Sequence, residues 1–281
     1  MSWFDALMHM FSTMGLGGFS SHDASFGHFN SLAIEIVAIV FMLLAGINFG
    51  THFVALRGRS FGAYRRDSEA HAYLLITLAS CAGIAAFLYA KGTYASFGEA
   101  LRFASFNVIS IATTTGFANT DYNQWPLFAP LWMLFLCCFA SCSGSTGGGI
   151  KMVRAILLYK QVNREYNKLL HPRAVAPAKI GGQVIENKII FAVLAFMFVY
   201  VSSVVAMTLV MVASGLDLTT ALSAVVASIN NTGPGLDKVG PATTYAVLTD
   251  FQTWVCTFAM LLGRLELFTL LIIFTSAFWR Q

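Results

Sequence analysis

The sequence predicts an all-α polytopic membrane protein, and three observations carry that reading. Of 281 residues, 57% are hydrophobic and only 11% are charged, against about 25% charged in soluble domains. Mean hydropathy is +0.69, so a water-soluble globule would lack the polar side chains to cover its surface. Third, the apolar runs come in two lengths that recur in the same order along the chain. Helices satisfy every backbone group internally, which is the economical solution in lipid.

A spanning helix needs about 20 mostly apolar residues. The runs that qualify are 32–56, 72–90, a stretch from Pro126 disrupted at 141–149, 189–215, and 244–279. Shorter helix-like segments, too short to span, cover 3–14, 97–111 and 218–229, each followed at once by small residues and Gly. Segments of that length read as re-entrant or interfacial helices. Together they give a repeated unit of span, short helix, Gly loop and span. The expected divisions are 1–58 as a partial unit without its first span, 59–180 as a complete unit with a broken second span, and 181–281 as another complete unit.

The five cysteines (Cys81, Cys137, Cys138, Cys142 and Cys256) all lie in apolar runs. Packing explains them better than disulfides or zinc. The net charge of +4 matters less than its distribution and does not imply nucleic acid. Arg57, Arg59, Arg65 and Arg66 crowd one connector; Lys151, Arg154, Lys160, Arg164, Lys168, Arg173 and Lys179 crowd another. The positive-inside rule places both in the cytoplasm together with the C-terminus, and the Gly loops outside. Asp5, Asp23, Glu99, Asp121, Asp217, Asp237 and Asp250 fall on the loop side. There they either raise the local cation concentration or are ordinary solvated loop charges.

The loops read Met-Gly-Leu-Gly-Gly-Phe-Ser (14–20), Ala-Thr-Thr-Thr-Gly-Phe-Ala (112–118) and Asn-Asn-Thr-Gly-Pro-Gly-Leu (230–236). Gly18, Gly116 and Gly233 align. Non-helical backbone at membrane depth is tolerated where it is buried or lines a water-filled cavity. Rings of carbonyls can replace the hydration shell of potassium, and the C-terminal end of each short helix favours a cation. The aligned positions carry no carboxylate or imidazole, which fits a weakly hydrated monovalent ion better than a tight divalent site. Candidate ion-binding positions are Leu16, Gly17, Gly18, Thr114, Thr115, Gly116, Asn231, Thr232 and Gly233.

The break at 141–149 holds Ser141, Ser143, Gly144, Ser145, Thr146, Gly147, Gly148 and Gly149 around Cys142. Such a run will not hold a regular helix in lipid. A phosphate-binding Walker loop is out of register and has no preceding strand. A membrane serine hydrolase would want a histidine partner in the neighbouring spans. A passive kink is the plain alternative. Arg264 and Glu266 sit in the last predicted span at i and i+2, so they do not share a face and each needs a partner elsewhere. Arg264, with five donors, suits the carbonyls freed at 141–149, either as a helix tie or as a positive barrier in a cation path.

Four segments carry a resemblance to a known family. They are Ile-Ala-Thr-Thr-Thr-Gly-Phe (111–117), Asn-Asn-Thr-Gly-Pro-Gly-Leu (230–236), Gly-Ser-Thr-Gly-Gly-Gly-Ile-Lys (144–151) and Gly-Arg-Leu-Glu (263–266). On these the chain resembles the Trk/Ktr/HKT potassium transporters, and within them the TrkH type, over essentially its whole length. The resemblance implies span–pore-helix–span repeats around a pseudo-fourfold pore, with the first repeat and the first span of the second absent here. It also implies transported potassium without an organic cofactor, and gating by residues 143–149 with Arg264 and Glu266. Further implications are a homodimer in the bacterial inner membrane and a cytosolic TrkA-like nucleotide-binding regulatory subunit. Whether a coupling ion is used stays open, as do the readings of a non-conducting fragment and an intramembrane hydrolase.

Overall fold

Side-chain oxygens start the helices where the sequence places polar residues before apolar runs. The computed structural model describes residues 1–172, 177, 179–265, 267–276 and 278–280. Helix α1 (Trp3–Met14) opens on a capping box between Ser2 and Asp5, which satisfies two otherwise orphaned donors. Helices α2 (Leu32–Ala45) and α3 (Phe49–Arg57) follow, then the short α4 (Gly62–Arg66). Asp67 caps α5 (Ser68–Ala90), and Ser96 caps α6 (Phe97–Ala112). Next come α7 (Phe128–Cys137) and α8 (Met152–Leu170). A minimal hairpin pairs β1 (Lys179–Ile180) with β2 (Gln183–Val184). Gly181 and Gly182 both take positive φ at its turn, as a two-residue hairpin loop requires. Helices α9 (Asn187–Ala213), α10 (Leu218–Ile229, capped by Asp217), α11 (Asp250–Arg264) and α12 (Leu267–Leu271) complete the chain.

Among the described residues, only α5 and α9 are single helices long and apolar enough to cross a membrane. The predicted span 32–56 is instead broken: α2 and α3 meet at 94°, across Gly46, Ile47 and Asn48. The stretch after Pro126 gives the 10-residue α7 and then leaves the helix from Cys138 to Lys151. The basic connector after it is helical, as α8. The predicted span 244–279 is likewise interrupted, with α11 ending at Arg264. Arg264 is therefore exposed in the last turn of α11, at the break rather than within a continuous helix. Glu266 lies outside the described residues. The predicted short segments appear as α1, α6 and α10, with α6 running to Ala112.

Two apolar clusters organise the packing. One gathers Met42, Tyr73, Leu88, Phe106, Phe117 and Met133 from the first seven helices and their loops. The other gathers Phe196, Tyr200, Met211, Val225 and Leu262. The opposite face of α9 presents Phe191, Phe198, Val205 and Leu209 outward, as lipid requires. Across the first cluster, Arg102 on α6 grips Glu35 on α2 with two hydrogen bonds, Nε to Oε2 at 2.9 Å and Nη2 to Oε1 at 2.7 Å. Glu35 is only 2% exposed.

Arg102 thus clamps two helices together. Removing one partner of such a pair leaves an uncompensated buried charge, which costs about 3–5 kcal/mol. Arg102→Ala is expected to lower the unfolding midpoint of the detergent-solubilised protein accordingly. The paired replacement Glu35→Leu with Arg102→Met should recover most of the loss.

Candidate ion pathway

The three short helices end in the same way. At the end of α1, the Leu16 N–H donates to Thr13 O and the Gly17 N–H to Ser12 O. At the end of α6, Thr114 donates to Ile111 O and Thr115 to Ser110 O; after α10, Asn231 donates to Ser228 O and Thr232 to Ala227 O. Each is the pair of bonds of a Schellman motif, which normally puts Gly at the left-handed position. Here that position holds Leu16 (φ 49°), Thr114 (φ 61°) and Asn231 (φ 54°). Two residues on, Gly18, Gly116 and Gly233 again take positive φ, at 69°, 89° and 97°. The backbone thus follows one path three times.

Neighbouring loops interlock through those glycines. A Cβ on Gly18 would fall 2.1 Å from the Thr115 carbonyl oxygen, and one on Gly116 would fall 2.0 Å from the Thr232 carbonyl oxygen. A Cβ on Gly233 would meet nothing within 4 Å. The loops therefore stand in succession, first beside second and second beside third, with the third open on its far side. Side chains brace them from behind. Thr113 and Thr115 hydroxyls bond at 2.7 Å, Ser110 Oγ donates to Phe117 O at 2.6 Å, and Tyr245 OH donates to Gly233 O at 2.8 Å. Asp217, which caps α10, receives the Thr220 N–H, and that bond holds its carboxyl down to about 2. The cap is therefore ionised throughout the neutral range.

Residues 141–149 run against the ends of all three short helices. Thr146 Oγ1 donates to Met14 O at 3.2 Å, and the Gly148 N–H donates to Thr114 Oγ1 at 2.8 Å. A Cβ on Gly148 would fall 2.0 Å from Asn230 O, and one on Gly147 3.1 Å from Thr113 O. Arg264 Nη1 donates to Thr146 O at 3.2 Å. Residues 143–149, Lys151, Arg154, Tyr200 and Arg264 line a cavity of about 420 Å³.

Sequence reading assigned Lys151 to the basic connector. With φ at 77°, it folds back and its Nζ donates to Gly147 O. Asn230 was also passed over. Wholly buried, it accepts from Tyr200 OH at 3.1 Å through Oδ1 and donates to Val226 O at 2.9 Å through Nδ2. Its place directly before the aligned Asn231-Thr232-Gly233 was the available signal; the partners on α9 were not visible.

The family model described as TrkH, cation transport protein, matches residues 1–88 and 91–281. The chain belongs to the TrkH family. The Trk system potassium uptake protein TrkH of Salmonella typhimurium is 41% identical over 278 residues, 99% of this chain and 57% of that protein. Its counterpart in Halomonas elongata is 44% identical over 283 residues, 100% of this chain and 58% of that protein. The crystal structure of the potassium transporter TrkH from Vibrio parahaemolyticus matches with a TM-score of 0.94 at 41% identity, covering 100% of this chain and 60% of that one. The chain thus spans less than two thirds of the length of these relatives. These relatives are named as potassium uptake proteins and the family model as a cation transport protein, names that favour no hydrolase reading of the Gly-Ser segment.

The glycine geometry orders three substitutions. Gly18→Ala and Gly116→Ala each drive a methyl into a neighbouring backbone carbonyl, whereas Gly233→Ala meets only the left-handed penalty of about 1–2 kcal/mol. Thermal melts of the three purified variants should show Gly233→Ala as the mildest. Equal losses at all three would contradict the interlocking.

Proposed function

We propose that this chain forms most of a potassium pathway, in which the backbone at Leu16-Gly17-Gly18, Thr114-Thr115-Gly116 and Asn231-Thr232-Gly233 coordinates the ion. The observation that carries this reading is the interlocking of three identically shaped loops through Gly18 and Gly116. Carbonyl coordination suits a cation that gives up its water easily, and the short-helix ends add negative potential there. The far side of Gly233 is where a further loop of the same kind closes the ring. That completion accords with a chain covering 60% of its solved relative. The three units, the outward-facing loops and the cytoplasmic basic connectors form part of the same proposal. So do the inner-membrane homodimer and docking of a TrkA-like subunit on the connectors.

In the same reading, residues 143–149 gate the path below the loops. The segment touches the ends of α1, α6 and α10 together, so an ion leaving the loops must pass it. Arg264 holds the segment through the Thr146 carbonyl and sets a positive charge on the cavity wall, which opposes a cation until the segment moves. Glu266 is proposed as a further member of the gate on its sequence position.

Two outcomes test these roles in the complete transporter. Gly116→Ser should weaken discrimination between potassium and sodium, because added bulk displaces the Thr232 carbonyl; unchanged ion preference in a flux assay would count against the filter. Arg264→Ala should raise potassium flux per folded protein. A variant that only loses expression, with flux per protein unaltered, would make Arg264 a helix tie.

A further inference from the structure

We propose that Glu69, in the first turn of α5, is the clasp that closes the base of the gating segment. This rests on the gate reading above, and its test separates the two. A single carboxylate oxygen of Glu69, Oε1, accepts the Ser143 N–H at 2.7 Å and the Val153 N–H at 2.9 Å. Those donors stand at the two ends of the non-helical excursion that carries the gate. The clasp makes the intervening residues a closed loop of fixed length, thrust against the short-helix ends.

The local chemistry explains why a carboxylate is needed. Val153 lies in the first turn of α8, whose own N-cap, Lys151, makes no side-chain capping bond. The first N–H groups of a helix need outside acceptors, and negative charge there is favoured. Glu69 supplies both from another helix. Charge-assisted bonds of this kind are about twice as strong as neutral ones. Ser143 is the second donor, and its neighbours are fixed too: Cys142 N–H donates to Gly46 O at 3.0 Å and Phe49 N–H to Gly144 O at 3.1 Å.

Glu69 also stands at the end of the basic elbow formed by α3 and α4. Asp67, two residues earlier, caps α5 and accepts from Thr51 Oγ1 on α3 at 2.7 Å. The elbow is therefore joined to the gating segment at both its ends, through Phe49 and through Glu69. A displacement of the elbow pulls on the clasp directly, which makes Glu69 a positioning residue for the gate.

The test uses Cys142, which is fully buried at the base of the segment. In the full-length transporter in membranes, a maleimide reagent is applied and modification of the Cys142 peptide is read by mass spectrometry, alongside potassium flux per folded protein. Loss of two charge-assisted bonds should shift the closed-to-open ratio by about a hundredfold or more. Glu69→Ala is thus expected to speed Cys142 modification and raise resting flux. Glu69→Gln, which keeps an oxygen at the same reach, should restore much of the protection. Should Glu69→Ala fail to accumulate, Glu69→Asp carries the comparison, since it withdraws the carboxylate by one methylene. Faster modification with unchanged flux would uphold the clasp and overturn the gate reading. Modification at the parent rate, whatever the flux, would overturn the clasp.

Discussion

The architecture depends on two interrupted helices completing each other's backbone hydrogen bonds. Where α2 gives way to α3, and where α7 gives way to the segment before α8, peptide groups leave the helical ladder among apolar helices. An unsatisfied group there costs several kcal/mol. The Cys142 N–H meets Gly46 O, and the Phe49 N–H meets Gly144 O. Within the segment itself, Ile150 N–H returns to Cys138 O and Met152 N–H to Ser141 O. Neither break could stand in lipid alone. Together they position a glycine-rich strand of backbone under the three short-helix ends, and this juxtaposition gives the pathway its lower boundary.

The same need for close backbone approach explains the residue types. A side chain at Gly18, Gly116 or Gly148 would strike a carbonyl of another loop near 2 Å, well inside any tolerable contact. At Gly263, on α11, a Cβ would fall 1.7 Å from Ile229 O. These positions bring five separate pieces of chain into backbone contact: the three loops, the 141–149 segment and α11. Hydroxyl and amide side chains then stiffen the assembly from behind, as in Thr113 with Thr115 and Asn107 with Asn119. Polar groups in a low-dielectric setting hold geometry when satisfied.

Much of this was legible in the sequence, because hydropathy and helix length are local properties. The short helices α1 and α10 fall on their expected residues, and Gly18, Gly116 and Gly233 could be aligned by their place after a short apolar run. What failed was continuity. Hydropathy alone cannot see that 32–56 bends at Gly46-Ile47-Asn48, since a broken span and a straight one share a composition. The same blindness placed Arg264 within a continuous helix, when α11 ends at that residue. Glu69, Lys151 and Asn230 escaped notice for a different reason. Each is one polar residue at the edge of an apolar run. The partners of Glu69, and the Tyr200 that bonds Asn230, lie dozens of residues away. Lys151 reaches Gly147 O only because its backbone turns back.

The bonding of residues 141–153 is uneven, and that unevenness bears on how the segment can move. Its base is held by the carboxylate of Glu69 and by four backbone bonds to Gly46, Phe49, Cys138 and Ser141. Its tip is held mainly by single bonds to neutral acceptors: Thr146 hydroxyl to Met14 O and Gly148 amide to Thr114 hydroxyl. Such bonds contribute about 0.5–1.5 kcal/mol each, and charged ones about 1.5–3. Two charged side chains also reach the tip: Arg264 Nη1 donates to Thr146 O at 3.2 Å and Lys151 Nζ to Gly147 O. A segment anchored strongly at its base and lightly at its tip yields at the tip first. Lys151 moves with the segment, whereas Arg264 ties it to α11, so breaking the Arg264 bond frees the guanidinium to swing along the cavity wall. Coulomb repulsion falls with distance and is further damped where water enters. On the proposed gate reading, a shift of a few ångströms in Arg264 lowers the barrier to a cation and loosens the tip of the segment together, without moving the loops above.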